Sequence, residues 1–253
     1  MPRYDFRTPR IFLDAPLGAG AEVALDRDQA NYLINVLRLG KGDGVLLFNG
    51  RDGEWQAELT GTGKRSLSAA VGERQREQPA AVDLHFLFAP LKHARLDYVV
   101  QKAVEMGVSR IQPVMTKHTQ VSRLNLERMR ANAIEAAQQC GVLAIPDIGE
   151  PVPFKAVAGD ADAGRLLVFC DEDAEIADPV AALMAARPAI WQSLPLAVLI
   201  GPEGGFSQDE REILLQRPNV VRLPLGPRIL RADTAAVAAL ALVQSVLGDW
   251  SGR

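Results

Sequence analysis

Residues Leu196–Ser207, with the sequence LAVLIGPEGGFS, and residues Val221–Ala235, with the sequence VRLPLGPRILRADTA, decide the fold class of this chain. Each stretch begins with a short apolar run typical of a buried strand, passes through a turn built on glycine and proline, and leads into a helix start. Ligands of open α/β sheets bind at the carboxyl ends of the strands. Two such turns close together in the chain therefore predict one small-molecule pocket.

The second stretch carries side chains that a structural turn does not need. Asp233 and Thr234 are expected to cap an Ala-rich helix that runs to about Leu247. Arg228 and Arg231 precede this cap and are not required by it. Arginine suits bidentate recognition of phosphate or carboxylate, which favours an anionic ligand or nucleic acid. The alternative is an ordinary pair of strand-to-helix connections.

Two common nucleotide sites are disfavoured. The chain contains no G-x-x-x-x-G-K-[ST] P-loop. The spacing of Gly201, Gly204 and Gly205 does not match the G-x-G-x-x-G of a dinucleotide site. The loops suit a ligand held by backbone contacts and apolar packing, such as an adenine nucleoside.

Composition narrows the class of protein further. The 253 residues are 48% hydrophobic and 23% charged, as in a globular protein with room for two domains. A net charge of −3 argues against coating nucleic acid by bulk electrostatics, but it is compatible with a site-specific RNA enzyme. The chain shows no signal-peptide core and no apolar run as long as a membrane span, so we expect a cytoplasmic protein.

The cysteines and histidines do not predict a metal site. Cys140 and Cys170 are far apart, and His93 and His118 have no partner at ligand spacing. His85 lies within an apolar strand and is expected to be a packed core residue.

The chain divides into a β-rich part and an α/β part. Residues 1–74 predict a small barrel with one helix, and the charged run 72–79 reads as a linker. Residues 79–253 alternate strands and helices, which predicts a mostly parallel sheet covered by helices on both faces. Strands are predicted at 10–13, 45–50, 53–59, 66–71, 82–89, 111–115 and 166–170, and helices after Asp26 or Asp28 and at 94–106, 126–140 and 179–186.

Together the two opening stretches closely resemble the signature of the ribosomal RNA small subunit methyltransferase E family, in the SPOUT class of knotted methyltransferases. The family's second motif usually reads L-G-x-R-I-L-R-T-E-T-A, so Ala232 and Asp233 are mild departures. The resemblance spans nearly the whole chain, through segments 31–43, 91–108 and 135–141.

The resemblance implies an S-adenosylmethionine-dependent enzyme that methylates N3 of one specific uridine in 16S ribosomal RNA of the small ribosomal subunit. It also implies a PUA-like N-terminal barrel, a C-terminal trefoil knot, and a homodimer in which a second subunit completes each cofactor pocket. No metal is implied.

Site residues follow from the same resemblance. Arg231 would stabilise the negative charge that forms on the uracil edge, and Glu203 is a candidate base, a role that requires burial of its carboxylate. RNA contacts are expected from Arg10, Arg38, Lys92 and Arg228, although Arg10, Arg38 and Lys92 could simply be solvated side chains. The cofactor pocket is expected to comprise Leu199, Ile200, Gly201, Gly204, Leu223, Leu225, Gly226, Ile229 and Leu230.

Two rival interpretations stay open at this stage. One is a non-catalytic RNA-binding module with a degenerate α/β domain. The other is a related SPOUT enzyme that methylates a ribose 2′-hydroxyl or another base.

Overall fold

The computed structural model describes residues 7–61, 67–80, 82–92, 94–158, 164–175, 178–187 and 195–250. The chain separates into two compact units. The N-terminal unit comprises Met1–Ala80 and Ile134–Ile145, and the C-terminal unit comprises Ala81–Ala133 and Pro146–Arg253. The domain limits 1–74 and 79–253 stay predictions.

The N-terminal unit is a curled five-stranded sheet with the strand order β1-β3-β4-β5-β2. The β1–β3 pair is parallel and the other pairs are antiparallel. A short helix α1 continues into a π-helical turn, Tyr32–Val36. The bounds are β1 Arg10–Phe12, β2 Glu22–Ala24, α1 Arg27–Asn31, β3 Gly44–Phe48, β4 Glu54–Leu59 and β5 Ser68–Arg76.

Local sequence signals explain the hairpin and the helix of this unit. β3 and β4 pair across a turn in which Gly50 and Gly53 adopt φ values of 83° and 84°, a region that favours glycine. Asp26 caps α1 in a reciprocal capping box with Gln29. The predicted hairpin and the helix start at Asp26 are both confirmed, whereas β2 is missing from the prediction.

The expected linker at 72–79 is wrong over most of its length. β5 runs to Arg76, and its charged second half pairs with β4, with Glu54 opposite Arg76. The charged residues lie on the exposed part of a strand that is still hydrogen-bonded to its neighbour. A charged stretch on such a strand resembles a linker when only composition is considered.

A buried carboxylate in the N-terminal unit binds two arginines. Glu54 Oε1 accepts from Arg10 Nε at 2.9 Å, and both Glu54 oxygens accept from Arg76, at 2.7 and 2.8 Å. The side chains of Arg10 and Glu54 are only 4% and 3% exposed. Burial of unpaired charge is costly, so this cluster is a structural element of the unit.

The segment Ile134–Ile145 belongs to the same unit through specific hydrogen bonds. The Phe12 amide donates to Gln138 Oε1 at 2.9 Å, and Arg76 Nη1 donates to the Gly141 carbonyl at 3.0 Å.

The C-terminal unit is built on a parallel sheet with the order β12-β10-β11-β6-β7-β8, and β9 pairs with β7. Every pair in this sheet is parallel. The strands are β6 Leu84–Phe88, β7 Arg110–Met115, β8 Asp147–Ile148, β9 Val152–Pro153, β10 Leu166–Cys170, β11 Leu196–Ile200 and β12 Val220–Leu223. The helices are α2 Ala94–Glu105, α4 Phe154–Ala158, α5 Pro179–Ala185, α6 Gln208–Leu215 and α7 Ala232–Val246. Helix α3, Leu126–Cys140, begins in this unit, and its residues from Ile134 onward belong to the N-terminal unit.

The apolar run of β11 lies in the interior of the sheet and is buried at every residue. Ala197 and Leu199 pack in one cluster with Phe154 of α4 and Leu214 of α6. The alternate β11 residues are buried as well, and α7 contacts this strand. Helices therefore cover both faces of a parallel sheet, as predicted.

Three local expectations in this unit need correction. The N-cap of α7 is Arg231, without a side-chain cap bond, rather than Asp233 or Thr234. His85 is not a packed core residue, because its side chain is 25% exposed and its Nε2 lies 3.3 Å from Asp83. The prediction also missed β8, β9 and α4, which are too short to produce a periodic signal.

Candidate functional site

A cavity of about 580 Å³ opens at the carboxyl ends of β10, β11 and β12, which are adjacent in the sheet. Both glycine-bearing loops line it, together with the loop that follows β10. Its size lies within the range of small-molecule sites. The predicted cofactor residues on its wall are Ile200, Gly201, Gly204, Leu223, Leu225, Gly226, Ile229 and Leu230.

Leu199 is the predicted cofactor residue that the structure places elsewhere. It is 0% exposed and packs inside the core. Successive residues of a strand point to opposite faces, so Leu199 supports the loop from below while Ile200 reaches the cavity.

The first loop is a compact turn that leads into α6. Gly205 has a φ of 70°, and Ser207 caps α6 in a capping box with the buried Glu210. A Cβ on Gly201 would lie 3.0 Å from the ring of Phe206, so a side chain at this position would crowd that ring. The loop is thus fixed at its glycines and at the helix cap.

The second loop presents exposed side chains to the cavity. Gly226 has a φ of 88°, and Ile229 is 92% exposed. Arg228 and Arg231 are exposed and line the cavity. Among the residues that the structure describes, neither guanidinium forms a hydrogen bond or ion pair. Both are therefore available to a ligand.

The third loop was missed at the sequence level, and its key residue is Asp171. This buried carboxylate accepts hydrogen bonds from Arg211 of α6 and from Arg222 of β12, at 3.2 Å and 2.6 Å from their Nε atoms. Burial alone would raise the pKa of Asp171, but the hydrogen bonds from Arg211, Arg222 and the Asp173 amide hold it below its ordinary value. The acidic run 171–173 after a predicted strand was the only sequence signal for this loop.

Cys170 also lines the cavity, at the end of β10. Burial raises the pKa of its thiol to about 12. Because the thiolate is the nucleophilic form, Cys170 is a packing residue rather than a nucleophile at neutral pH.

Glu203 lines the cavity but does not meet the condition set for a base. Its side chain is 39% exposed, and its Oε1 accepts from Arg95 Nη1 at 2.9 Å. The expected burial is absent, and the carboxylate is held by an arginine instead.

The predicted RNA contacts separate into two groups. Arg10 is buried against Glu54, so its guanidinium is not accessible to RNA, and that expectation is corrected. Arg38 is exposed in the N-terminal unit, with a φ of 59°. Lys92 is exposed after β6, and Arg228 is exposed at the cavity.

His118 contacts the first glycine loop from the segment after β7. Its Nδ1 lies 3.2 Å and 3.1 Å from the carbonyl oxygens of Gly204 and Gly205. Carbonyl oxygens only accept, so Nδ1 carries the proton. His93, also considered for metal binding, lies outside the described residues. In the described part of the chain, no group of three or more histidine, cysteine or acidic side chains could hold a metal ion.

Comparisons with known proteins match this chain to RNA methyltransferases. A family described as an RNA methyltransferase domain matches residues 77–244, and an RNA methyltransferase PUA domain matches residues 25–71. Ribosomal RNA small subunit methyltransferase E of Rickettsia conorii is 30% identical over 236 residues, covering 93% of this chain and 94% of the relative. No helix among the described residues is long and apolar enough to cross a membrane.

Solved structures of similar proteins cover almost all of the chain. Ribosomal RNA small subunit methyltransferase E from Neisseria gonorrhoeae, bound to S-adenosylmethionine, has a TM-score of 0.84 and 25% identity, covering 96% of this chain and 100% of that one. A putative methyltransferase from Legionella pneumophila, in complex with the same cofactor, has a TM-score of 0.78 and 27% identity, covering 94% and 98%.

Proposed function

The chain belongs to the ribosomal RNA small subunit methyltransferase E family, and we propose that it transfers the methyl group of S-adenosylmethionine to N3 of one specific uridine in 16S ribosomal RNA. The observation that carries the proposal is the single cavity formed by both glycine-bearing loops at the carboxyl edge of the sheet. Two similar proteins of solved structure are bound to the same cofactor.

The residues present fit this cofactor. Ile200, Leu223 and Leu225 supply an apolar wall for an adenine ring, and Gly226 leaves open space at the position of a Cβ. Glu172 and Asp173 place carboxylates on the same wall, which suits a ligand that carries a sulfonium and an ammonium group. When bound, S-adenosylmethionine supplies an electrophilic methyl group.

The chemistry at uridine N3 requires positioning and charge stabilisation. The N3–H is weakly acidic, so the nitrogen becomes nucleophilic only as the proton leaves, and negative charge develops on O2 and O4. We assign the stabilisation of that charge to Arg231, which lines the cavity and has no partner among the described residues. We assign Arg228, for which the described residues likewise provide no partner, to an RNA phosphate.

Glu203 can act as the base only if its ion pair with Arg95 is broken. Arg95 occupies one carboxylate oxygen, so Glu203 would take the N3 proton only after RNA displaces that guanidinium. Glu203→Gln removes the base and retains much of the contact, which makes it the variant that tests this step.

We also propose a homodimer, a C-terminal trefoil knot and a cytoplasmic location. The family implies the dimer and the knot, and the cytoplasm is where 16S ribosomal RNA is found. Ile229 supports the dimer, because a second subunit would cover an apolar side chain that is 92% exposed beside the cavity.

The deciding experiment maps modified nucleosides in 16S ribosomal RNA by mass spectrometry, from cells with and without this gene. We expect one N3-methyluridine to disappear in the deletion and to return when purified protein and S-adenosylmethionine are added to the subunits. Loss of a 2′-O-methyl or another base modification would redirect the assignment. Absence of S-adenosylmethionine binding in calorimetry would indicate a non-catalytic RNA-binding module.

A further inference from the structure

Basic side chains at the amino ends and at the carboxyl ends of the parallel strands differ in how they are paired with carboxylates. At the amino edge, Arg110 pairs with Asp147 at 2.9 Å, and Arg165 pairs with Asp83 at 2.7 Å. In each pair the carboxylate offsets the charge of the arginine, so these two arginines offer little free charge to a polyanion.

At the carboxyl edge, four exposed cations form no ion pair within the described ranges, whereas Arg95 at the same edge is paired with Glu203. Lys92 follows β6, Lys117 and Arg123 follow β7, and Lys155 follows β9. All four side chains are exposed, and within the described ranges none forms an ion pair or a hydrogen bond. β6 and β9 both pair with β7, so these loops are neighbours along one edge.

The segment after β7 is fixed to the wall of the cavity. The Lys117 amide donates to Glu210 Oε1 at 2.8 Å, and Glu210 also caps α6. His118 donates to the carbonyl oxygens of the first glycine loop. The backbone of Lys117 is therefore held in place, while its ammonium group has no partner among the residues that the structure describes.

We propose that Lys92, Lys117, Arg123 and Lys155, on the segments that follow β6, β7 and β9, form a docking surface for the phosphate backbone of the RNA that enters the cavity. The inference rests on the proposed function and extends it to a surface of this chain. Strands in a sheet are ~4.8 Å apart, so cations on three neighbouring loops extend over roughly 10 Å, which suits a strand of phosphates better than one small anion. Lysine acts as a point charge, which fits phosphate contacts that position RNA without reading its sequence.

The test measures methyl transfer to small subunits that lack the modification, as a function of salt. For Lys117→Gln/Arg123→Gln, we expect a higher KM for the subunit, with kcat at saturation little changed. The slope of log affinity against log salt should fall by about one for each cation removed. Affinity for S-adenosylmethionine and the thermal unfolding midpoint should match the unmodified protein.

The control is Arg110→Gln/Arg128→Gln, which removes the same charge from two residues that are paired with Asp147 and Asp97 and whose side chains are 40% and 66% exposed. It should leave KM and the salt slope unchanged. Equal effects of the two double variants would overturn the proposed surface, as would loss of S-adenosylmethionine binding in Lys117→Gln/Arg123→Gln. Failure of the unmodified protein to methylate any RNA would instead remove the proposed function itself.

Discussion

Arg231 connects the second loop to α7, and its accessibility makes it the sharpest test at the scale of one residue. It is the exposed N-cap residue of α7, without a cap bond. Arg231→Ala should therefore lower kcat by about 10²- to 10³-fold, the usual cost of losing one electrostatic donor. Affinity for S-adenosylmethionine should hardly change, because a guanidinium has no favourable interaction with a sulfonium.

Arg231→Lys is the companion variant. It should restore little activity, since an ammonium group does not reproduce the planar fork of arginine. Steady-state kinetics and calorimetry on both variants provide the check. An alanine variant that binds the cofactor poorly and unfolds early would show that Arg231 is a structural tether.

Asp171 predicts a specific dependence of stability on pH. Its pKa is lower in the folded state, so its stabilising effect is complete above the unfolded value of about 3.9 and is lost as pH falls through the folded value. Asp171→Asn should reduce the free energy of unfolding by about 2 kcal/mol at pH 7, with the difference shrinking below about pH 4.

Urea unfolding of both proteins between pH 3 and 7 measures this difference. The control is Asp173→Asn, in the same loop but exposed, which should change stability much less. A difference that stays constant down to pH 3 would contradict the ion-pair account of Asp171.

The sequence predicted residues whose conformation depends on their neighbours in the chain. It missed residues whose interaction partners are distant in the chain. Gly226 was predictable because its positive φ belongs to a turn built on neighbouring residues. Asp171 was not, because its partners Arg211 and Arg222 lie 40 and 51 residues further along. Arg10 was misassigned for the same reason, since only the fold places it beside Glu54.

At the scale of elements, the second loop depends on Gly226. A valine at this position must adopt a φ of 88° and would extend into open space at the cavity. Gly226→Val should weaken S-adenosylmethionine binding by more than about tenfold, while the backbone strain costs about 1–2 kcal/mol of stability.

Gly20→Val is its matched control in the N-terminal unit. Gly20 also has a positive φ, 79°, and open space around its Cβ position. This variant should show the same strain and unchanged cofactor affinity in calorimetry. Equal affinity in both variants would remove Gly226 from the site. Gly201→Val is less informative, because its Cβ would press on the Phe206 ring.

Long helices were predicted well because their hydrophobic periodicity is strong. Short strands were predicted poorly because their hydrophobic pattern is weak. α3 was predicted with its observed bounds, and Gly141, with a φ of 66°, ends it as expected. The second part of β5, residues 72–76, was mistaken for a linker because pairing with β4 is not visible in its composition. The three-residue β2 has too little pattern to detect.

At the scale of the whole molecule, the net charge of −3 predicts the preferred form of the substrate. Bulk attraction for RNA is weak at this net charge, so selection must rely on phosphates held in a defined arrangement. We expect assembled or nearly assembled small subunits to be methylated readily and naked 16S RNA poorly. Initial rates of methyl incorporation on the two substrates provide the measurement, and equal rates would contradict the prediction.

The N-terminal unit is discontinuous in sequence, since it includes Ile134–Ile145, and this limits how the protein can be rearranged by evolution. A gene fragment ending near Ala80 would lose Gln138, which accepts from the Phe12 amide, and the Gly141 carbonyl, which accepts from Arg76. We therefore expect a fragment that carries residues 1–80 alone to lose contacts of this unit when it is moved by recombination. The barrel and the methyltransferase sequence are therefore expected to be inherited together, with duplication or exchange of either part alone selected against.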